Sequence, residues 1–257
     1  MIYEKAYAKV NINLQVKNKR NDGFHELESL VLPLDFCDEM IFEFSHENEV
    51  ISNVYIKDNV VLKTIELFQR EFNLNKPVKV ILNKKIPVGS GLGGGSANIS
   101  ATLRGLNRLY NLNLKLNELE LLANKLGSDT LFCLYNKPAI ISGRGDKISF
   151  INFDEIMSVL IILLPLKILT KDVFNNHVID TKNHANILEY NDNDLLKTLL
   201  NNNEKFNAMY HKIQQVVPHV KMSGSGPTLF VANYTEDILK KLQLIKDINL
   251  LSVKILK

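Results

Sequence analysis

Apolar and polar residues alternate along the first part of the chain. From residue 6 to residue 16 every second residue is apolar, and Lys9, Asn11 and Asn13 lie between them. A period of two is typical of a β-strand with one face turned to a core. The Asn-Asp-Gly sequence at residues 21–23 favours a tight turn, and the apolar-rich segment after it predicts a return strand. The pattern therefore predicts an N-terminal β-hairpin with three polar side chains on one face.

Helical periodicity replaces this alternation further along the chain. Apolar residues spaced three or four apart predict helices over residues 59–72 and 97–110, and a second alternating segment predicts a strand between them over residues 78–86. Asn117 and Glu120 resemble a capping box at the start of a further helix. Gly127 stands where a glycine would end that helix.

The C-terminal part of the chain has a different pattern. An apolar run at residues 159–166 predicts a central strand, and the polar stretch from Asp172 to about Pro218 predicts helices and loops. A glycine-rich turn then leads into a strand, a helix that Thr235 caps, and a final strand. This order predicts a small α+β sandwich. We therefore expect an α+β protein with two domains, residues 1–155 and 156–257.

Composition narrows the functional classes. The chain has 257 residues with 31 basic and 28 acidic side chains, so its net charge is only +3. Such a charge gives no support to nucleic-acid or membrane binding. Cys37 and Cys133 lie among apolar neighbours and predict buried thiols in a reducing compartment. The charged N-terminus does not resemble a secretion signal, and we expect a cytoplasmic protein that binds neither nucleic acid nor membrane.

Five glycines occupy the seven positions from Gly89 to Gly95. A P-loop requires lysine where Gly95 stands, so that motif fails. Gly89, Gly91 and Gly94 match the spacing of a dinucleotide fingerprint, but no acidic residue follows at the expected distance. A strand, a glycine loop and a helix that starts near Ser96 would still aim backbone N–H groups at one anion. The alternative is a flexible turn without function.

The residues from Pro87 to Ser96 carry a family resemblance. The sequence Pro87-x-x-x-Gly91-Leu92-Gly93-Gly94-Gly95-Ser96 resembles the phosphate-binding motif of the galactokinase, homoserine kinase, mevalonate kinase and phosphomevalonate kinase (GHMP) superfamily. Within it, three further stretches resemble the 4-diphosphocytidyl-2-C-methyl-D-erythritol kinases of the non-mevalonate isoprenoid pathway. They are residues 6–16 with 19–29, residues 126–148 and residues 221–232.

This resemblance implies a fold, a reaction and a set of ligands. The fold would be the two-domain GHMP kinase fold, with a ribosomal S5 domain 2-like N-terminal domain and a ferredoxin-like α/β-sandwich C-terminal domain. ATP with Mg²⁺ would phosphorylate the 2-hydroxyl of a small substrate that carries a cytidine diphosphate head group. The enzyme would be a monomer or a homodimer. Two alternatives stay open: a mevalonate- or homoserine-type kinase, and a catalytically silent nucleotide-binding relative.

The resemblance also implies residue roles. Asp129 would be the general base and Lys9 would stabilise the reacting hydroxyl, although alone they resemble a helix cap and a solvated strand residue. The ATP-binding positions are Asn59, Lys85, Pro87, Val88, Gly89, Ser90, Gly91, Leu92, Gly93, Gly94, Gly95, Ser96 and Ala97. The substrate-binding positions are Asn11, Phe24, His25, Thr170, Phe174, Gly224 and Ser225. The Ser96 hydroxyl is the candidate Mg²⁺ ligand.

Several of these positions have a second interpretation or depart from the family. Asn59 also resembles a helix N-cap, His25 a surface residue beside a turn, and Gly224 part of a plain hairpin turn. Phe24 replaces the usual tyrosine, which keeps base stacking but loses a hydroxyl. Three further departures are Ala97 for a second serine, Lys171 for proline and Leu131 for proline.

Overall fold

The computed structural model describes residues 1–179 and 186–256. Within these ranges the strands are β1 Ile2–Asn11, β2 Gln15–Lys19, β3 His25–Phe44, β4 Glu49–Ser52, β5 Val78–Asn83, β6 Ala139–Gly143, β7 Lys147–Phe150, β8 Ser158–Leu163, β9 Lys221–Met222, β10 Leu229–Ala232 and β11 Asn249–Lys254. The helices are α1 Val60–Glu71, α2 Gly94–Leu109, α3 Leu116–Leu126, α4 Thr130–Tyr135, α5 Thr170–Asn175, α6 Asp194–Asn202, α7 Glu204–Val216 and α8 Glu236–Gln243. Part of the polar stretch before α6, residues 180–185, lies outside the described residues.

The chain divides into two compact units that are not continuous in sequence. The first unit comprises Met1–Ala8, Phe36–Val88 and Gly93–Asn136. The second comprises Lys9–Asp35, Gly89–Leu92 and Lys137–Lys257. Both β1 and β3 continue from one unit into the other. A domain boundary near residue 155 stays a prediction.

The first unit combines an edge of sheet with four helices. The second half of β3 pairs antiparallel with β5, from Glu39 opposite Asn83 to Phe44 opposite Val78, and β4 pairs parallel with β5. Helix α2 packs against α1, α3 and α4. Its apolar positions face inward as the periodicity predicts, and Ile99, Leu103 and Leu106 are buried.

One contact in this unit depends on a missing side chain. Phe42 of β3 is fully buried, and its ring lies against Gly105 of α2. A Cβ atom at Gly105 would lie 2.6 Å from Phe42 Cε2 and 2.8 Å from Cδ2. The glycine therefore sets how closely the helix approaches the sheet.

The second unit contains the predicted hairpin and a separate antiparallel sheet. β2 pairs with the start of β3, from Gln15 opposite Glu28 to Lys19 opposite His25, which confirms the N-terminal hairpin. The first half of β3 also pairs with β6, and β6 with β7. The other sheet has the order β11-β8-β10-β9, which places its strands as fourth, first, third and second, the ferredoxin-like arrangement.

An apolar core joins this second sheet to its helices. It draws on β8, β10, α6, α7 and α8 and continues to the hairpin. Among its members are Leu14, Leu160, Ile162, Leu199, Phe206, Ile213, Val231 and Leu242. The predicted α+β sandwich at the C-terminal end is therefore present.

Two sequence-based details were wrong. The alternating segment is not one strand, because regular pairing stops at Asn11 and resumes at Gln15. The capping box is not formed by Asn117 and Glu120. Helix α3 begins two residues earlier, where the Glu118 carboxylate accepts a hydrogen bond of 2.7 Å from the Lys115 backbone N–H.

We expect Gly105→Ala to lower the free energy of unfolding by about 1–3 kcal/mol, because the added methyl group collides with a fixed ring. Gly95→Ala is the matched control in the same helix, since Gly95 has open space around its Cα. That control should be neutral or stabilising by up to about 1 kcal/mol. Urea-induced unfolding measures both, and a stabilised Gly105→Ala would contradict the packing argument.

Candidate active site

The glycine-rich segment uses its glycines for two physical purposes. Gly89, Gly91 and Gly93 have φ angles of 71°, 81° and 72°, in the left-handed region that favours glycine. A Cβ atom at Gly91 would lie 2.8 Å from the Ser223 carbonyl oxygen and 2.9 Å from that of Gly226. The positive φ angles favour glycine at all three positions, and the close carbonyl oxygens require it at Gly91.

Helix α2 begins directly after this segment and has an uncompensated N-terminus. Its N-cap is Gly93, which has no side chain to accept from the first N–H groups, and its first turn carries no acidic residue. The first N–H groups of a helix have no intrahelical partners, and the helix dipole adds partial positive charge there. Gly94 and Gly95 keep side chains away from these groups. The arrangement suits an anion such as a phosphate.

A buried carboxylate holds the two elements that flank the glycine segment in the first unit. Asp38 of β3 is fully buried and forms an ion pair with Lys84, whose side chain is 5% exposed. Its carboxylate also accepts from the backbone N–H groups of Lys85 and Ile86, at 2.7 and 2.8 Å. Asn98 of α2 donates to the same carboxylate at 2.8 Å. Asp38 thus fixes the chain after β5 to the first turns of α2.

Sequence reasoning did not identify this cluster. It proposed Lys85 as the cation near the phosphates, and the structure places the Lys85 ammonium 2.9 Å from Glu39 at the surface. Lys84 is the lysine that points inward. A Cβ atom at Gly94 would lie 2.9 Å from the Lys84 Nζ atom. Asp38 and Glu39 are adjacent in the sequence, and nothing local to them shows which carboxylate is buried.

Burial lowers the pKa of Lys84, and the charge of Asp38 opposes that shift. The ammonium therefore depends on Asp38 to stay charged in this position. Removing Asp38 would lower the Lys84 pKa further.

Two other predicted site residues, Ser96 and Asp129, belong to the same unit. The Ser96 carbonyl oxygen accepts from the Ser100 hydroxyl at 3.0 Å, and a Cβ atom at Gly127 would lie 3.6 Å from Ser96 Oγ. Asp129 occupies the N-cap position of α4, but its side chain makes no capping hydrogen bond there. The simple capping interpretation of Asp129 is therefore not supported. The neighbouring Thr130 hydroxyl is buried and has no hydrogen-bond partner.

Asn59 does cap a helix. Its side-chain oxygen accepts from the Val61 backbone N–H at 3.0 Å, at the start of α1. The structural interpretation of this residue is confirmed, and contact with ATP stays a prediction.

The polar residues at the end of β1 form a buried group in the second unit. Lys9 is only 3% exposed, and its ammonium donates to Asn11 Oδ1. Asn11 donates in turn to the Ser29 hydroxyl at 2.8 Å, and its backbone N–H donates to Ser223 Oγ at 3.2 Å. A Cβ atom at Gly224 would lie 3.5 Å from Lys9 Nζ. Lys9 is thus not a solvated strand residue.

This buried group also contacts the glycine segment. The Lys9 backbone N–H donates to the Leu92 carbonyl oxygen at 3.0 Å. Ser223, which sequence reasoning missed, donates from its hydroxyl to the Gly91 carbonyl oxygen at 3.2 Å. The structure therefore brings Lys9, Asn11, Gly91 and the loop around Gly224 together.

The residues proposed to bind a nucleobase form a second group in the same unit. The rings of His25 and Phe174 lie 5.3 Å apart at 32°, and the hydroxyls of Thr170 and Ser225 are 3.0 Å apart. Burial, and then the charge of Lys19, lowers the pKa of His25, which favours the neutral ring. A neutral imidazole has one donor and one acceptor, so it can pair with the edge of a base.

Phe24 lies in the turn of the hairpin and is 48% exposed. The Arg144 guanidinium lies 5.3 Å from the centroid of its ring. This cation–π contact orders the ring from one side. The other predicted contacts of Phe24 stay predictions.

The comparisons with known proteins agree with this geometry. The family model described as GHMP kinases N terminal domain matches residues 59–137. A protein of Staphylococcus aureus (strain MRSA252), named “Putative 4-diphosphocytidyl-2-C-methyl-D-erythritol kinase”, is 35% identical over 252 residues, which cover 90% of this chain and 89% of that protein. The chain belongs to the 4-diphosphocytidyl-2-C-methyl-D-erythritol kinase family. The predicted resemblance and the predicted class, an ATP-dependent small-molecule kinase, are confirmed.

Solved structures confirm the fold. A 4-(cytidine 5'-diphospho)-2C-methyl-D-erythritol kinase superposes with a TM-score of 0.82 at 23% identity, over 98% of this chain and 99% of that one. A mevalonate kinase superposes with a TM-score of 0.70 at 16% identity, over 99% of each chain. The chain has the α+β GHMP kinase fold. Among the described residues, no helix has the length and apolar character of a membrane span.

We expect Asp38→Asn to lower the free energy of unfolding by about 3–5 kcal/mol, because it leaves the buried Lys84 ammonium without its counter-charge. Urea-induced unfolding at pH 7 measures the loss. Glu39→Gln is the matched control, since it removes the neighbouring ion pair at the surface and should behave like the wild type. Equal losses in the two variants would contradict the role of Asp38.

The Asp38→Asn defect should also depend on pH. The folded-state pKa of Lys84 lies below its unfolded value, so the unfolded chain binds more protons and stability rises with pH. Without Asp38 this pKa falls further, and the destabilisation should shrink as pH rises from 7 to about 9. Unfolding curves across this range measure the trend, and a defect that grows with pH would overturn the assignment.

Proposed function

We propose that this chain transfers the γ-phosphoryl group of ATP to the 2-hydroxyl of 4-diphosphocytidyl-2-C-methyl-D-erythritol. The observation that carries the proposal is the buried Lys9 ammonium, which contacts Asn11 and lies against Gly224. A buried cation among polar groups suits a site where negative charge moves during reaction. The Staphylococcus aureus relatives carry the name of this activity, which supports the same substrate.

The reaction needs few covalent steps. The Asp129 carboxylate takes the proton of the substrate 2-hydroxyl, and the hydroxyl oxygen forms a bond to the γ-phosphorus. The bond from that phosphorus to the bridging oxygen breaks, and ADP leaves with the electron pair. Lys9 stabilises the negative charge at the attacking oxygen. Phosphoryl transfer depends mainly on such positioning and charge stabilisation.

The phosphates of ATP would bind to the backbone of residues 89–96. The positive φ angles along this segment and the uncompensated N-terminus of α2 favour N–H groups directed at an anion. Any side chain at Gly91 would collide with the two carbonyl oxygens already described. The Lys84 ammonium, which is paired with Asp38, lies next to Gly94 and supports this segment from the protein side.

Mg²⁺ would neutralise the phosphate charge when bound. Among the residues that the structure describes, no group of three or more His, Cys, Asp or Glu side chains could hold a metal ion. Mg²⁺ in kinase sites is usually held by the phosphates of the substrate, by water and by one or two protein ligands. The Ser96 hydroxyl is the protein ligand that we propose.

The cytidine head group would be recognised in the second unit. Phe24 and Phe174 offer aromatic faces, and the neutral His25 ring can pair with the base edge. A mevalonate- or homoserine-type substrate has no nucleobase that could stack on these rings, so that alternative is not favoured. The catalytically silent alternative is not favoured either, because Lys9 and Asp129 are both retained.

Product formation from ATP across a panel of polyols tests the proposed function. We expect turnover only with acceptors that carry the cytidine diphosphate group, and competitive inhibition by CMP or CDP. Equal turnover of acceptors without the head group would contradict the substrate assignment.

We expect Asp129→Asn to lower kcat at least about 100-fold, because an amide cannot accept the hydroxyl proton. Asp237→Asn, at an exposed position of α8, is the control and should keep the wild-type kcat. Steady-state assays at saturating ATP measure both. A wild-type rate for Asp129→Asn would exclude its role as general base.

We expect Phe174→Ala to weaken binding of the cytidine substrate by about 1–3 kcal/mol, because one stacking surface is lost. The KM for ATP should not change, since the proposed ATP-binding residues are different. Phe174→Tyr keeps the ring and should restore binding. A parallel rise of both KM values in Phe174→Ala would argue against a base-binding role.

A further inference from the structure

The segment around Asn193 lies against the chain between β1 and β2, close to the end of β1 that carries Lys9 and Asn11. The Leu14 backbone N–H donates to the Asp192 carbonyl oxygen at 3.0 Å, and the Asp194 N–H donates back to the Leu14 carbonyl oxygen at 3.0 Å. The Asp194 carboxylate also accepts from the Val16 N–H at 2.7 Å. These bonds hold the start of α6 in register with the chain between β1 and β2. The side chain of Asn193 is therefore placed by backbone contacts on both sides.

That side chain makes two kinds of contact. Its oxygen accepts from the Leu195 N–H at 3.0 Å and so caps α6. Its amide nitrogen donates to the carbonyl oxygens of Met222 and Gly224, at 2.9 and 2.8 Å. One end of Asn193 thus stabilises a helix, while the other end holds both sides of the loop that contains Ser223.

This loop forms the surface against which Lys9 and Asn11 are packed. Gly224 has a φ angle of 57°, and a Cβ atom there would lie 3.1 Å from Asn11 Oδ1 and 3.5 Å from Lys9 Nζ. Ser223 connects the same loop to Asn11 and to the glycine segment. A shift of the loop would therefore change the position of the Lys9 ammonium.

We propose that Asn193 is a positioning residue for the reaction, which acts through its two hydrogen bonds to residues 222–224 and so fixes Lys9. The inference rests on the proposed function and adds a residue to it. The effect of Asn193 on Lys9 is transmitted by the loop. A displacement of about 1 Å in such a group can lower the rate about 100-fold.

Asn193→Asp separates the two contacts of this side chain. Aspartate is as good an N-cap as asparagine, so the cap on α6 is kept. A carboxylate has no N–H to donate, and its charge repels the carbonyl oxygens of Met222 and Gly224. The matched control is Asn203→Asp, because Asn203 caps α7 by accepting from the Phe206 N–H at 2.9 Å. The same substitution there keeps a cap and touches no proposed site residue.

The experiment measures kcat for phosphorylation of the cytidine substrate and, by calorimetry, the number of ATP sites per chain. The site count reports how much protein is folded. We expect Asn193→Asp to lose about 10- to 100-fold in kcat while it still titrates to the wild-type number of ATP sites. Asn203→Asp should match the wild type in both measurements.

The outcomes are distinct. A wild-type kcat for Asn193→Asp, or a kcat loss no larger than the loss in the number of ATP sites, would overturn the inference.

If Asn193→Asp does not fold, Asn193→Ser provides the test, since serine also caps α6 but is too short to reach both carbonyl oxygens. We expect a lowered kcat with a full site count, and wild-type kcat for this variant would again overturn the inference. Absence of turnover by the wild type would instead refute the proposed function.

Discussion

The cost of removing an ammonium group from water is the main physical constraint on the polar interior of each unit. Lys9 and Lys84 are almost fully buried, and burying an ammonium group is costly unless oxygen atoms of the protein surround it. Lys84 obtains a carboxylate from Asp38, and Lys9 donates to the amide oxygen of Asn11. The Asp38–Lys84 ion pair joins the chain after β5 to α2, whereas the Lys9 ammonium lies among the polar groups at the end of β1.

Dense backbone packing follows from these burials. Gly91 lies so close to two carbonyl oxygens that it has no room for a side chain, and Gly224 has a left-handed φ angle and close polar neighbours. Side chains that join distant parts of the sequence, such as Ser223, Asn193 and Asp38, hold this packing in place. The glycine-rich segment is therefore one part of a larger set of contacts that position the Lys9 and Lys84 ammonium groups.

Much of the fold could be predicted from the sequence. The hairpin, α1, α2, β8 and the order of C-terminal elements each follow from local periodicity, because the burial of one face repeats with the period of the element. The predicted capping box failed because the helix starts at a residue that is not a usual N-cap type: Lys115 is the N-cap, and Glu118 accepts from its backbone N–H. The break between β1 and β2 depends on contacts with residues 187–194, which no local pattern reports.

The candidate site was predictable only in part. Lys9 and the glycine segment carry recognisable motifs, but Asp38, Ser223 and Asn193 have partners that lie 46, 212 and 29 positions away. Nothing in their immediate sequence distinguishes them from surface residues. The choice between Lys84 and Lys85 shows the same limit of local information, since Lys84 contacts the buried Asp38 and Lys85 contacts Glu39 at the surface.

Phosphorus-31 NMR of the product tests the central claim most directly. Carbon 2 of the proposed acceptor carries a methyl group and no hydrogen, so phosphorylation of its hydroxyl gives a phosphomonoester signal without three-bond coupling to a proton. The account predicts this singlet, with ADP formed in equal amount. A doublet or triplet would place the phosphoryl group on a CH or CH₂ hydroxyl, and either pattern, or no new ester at all, would contradict the account.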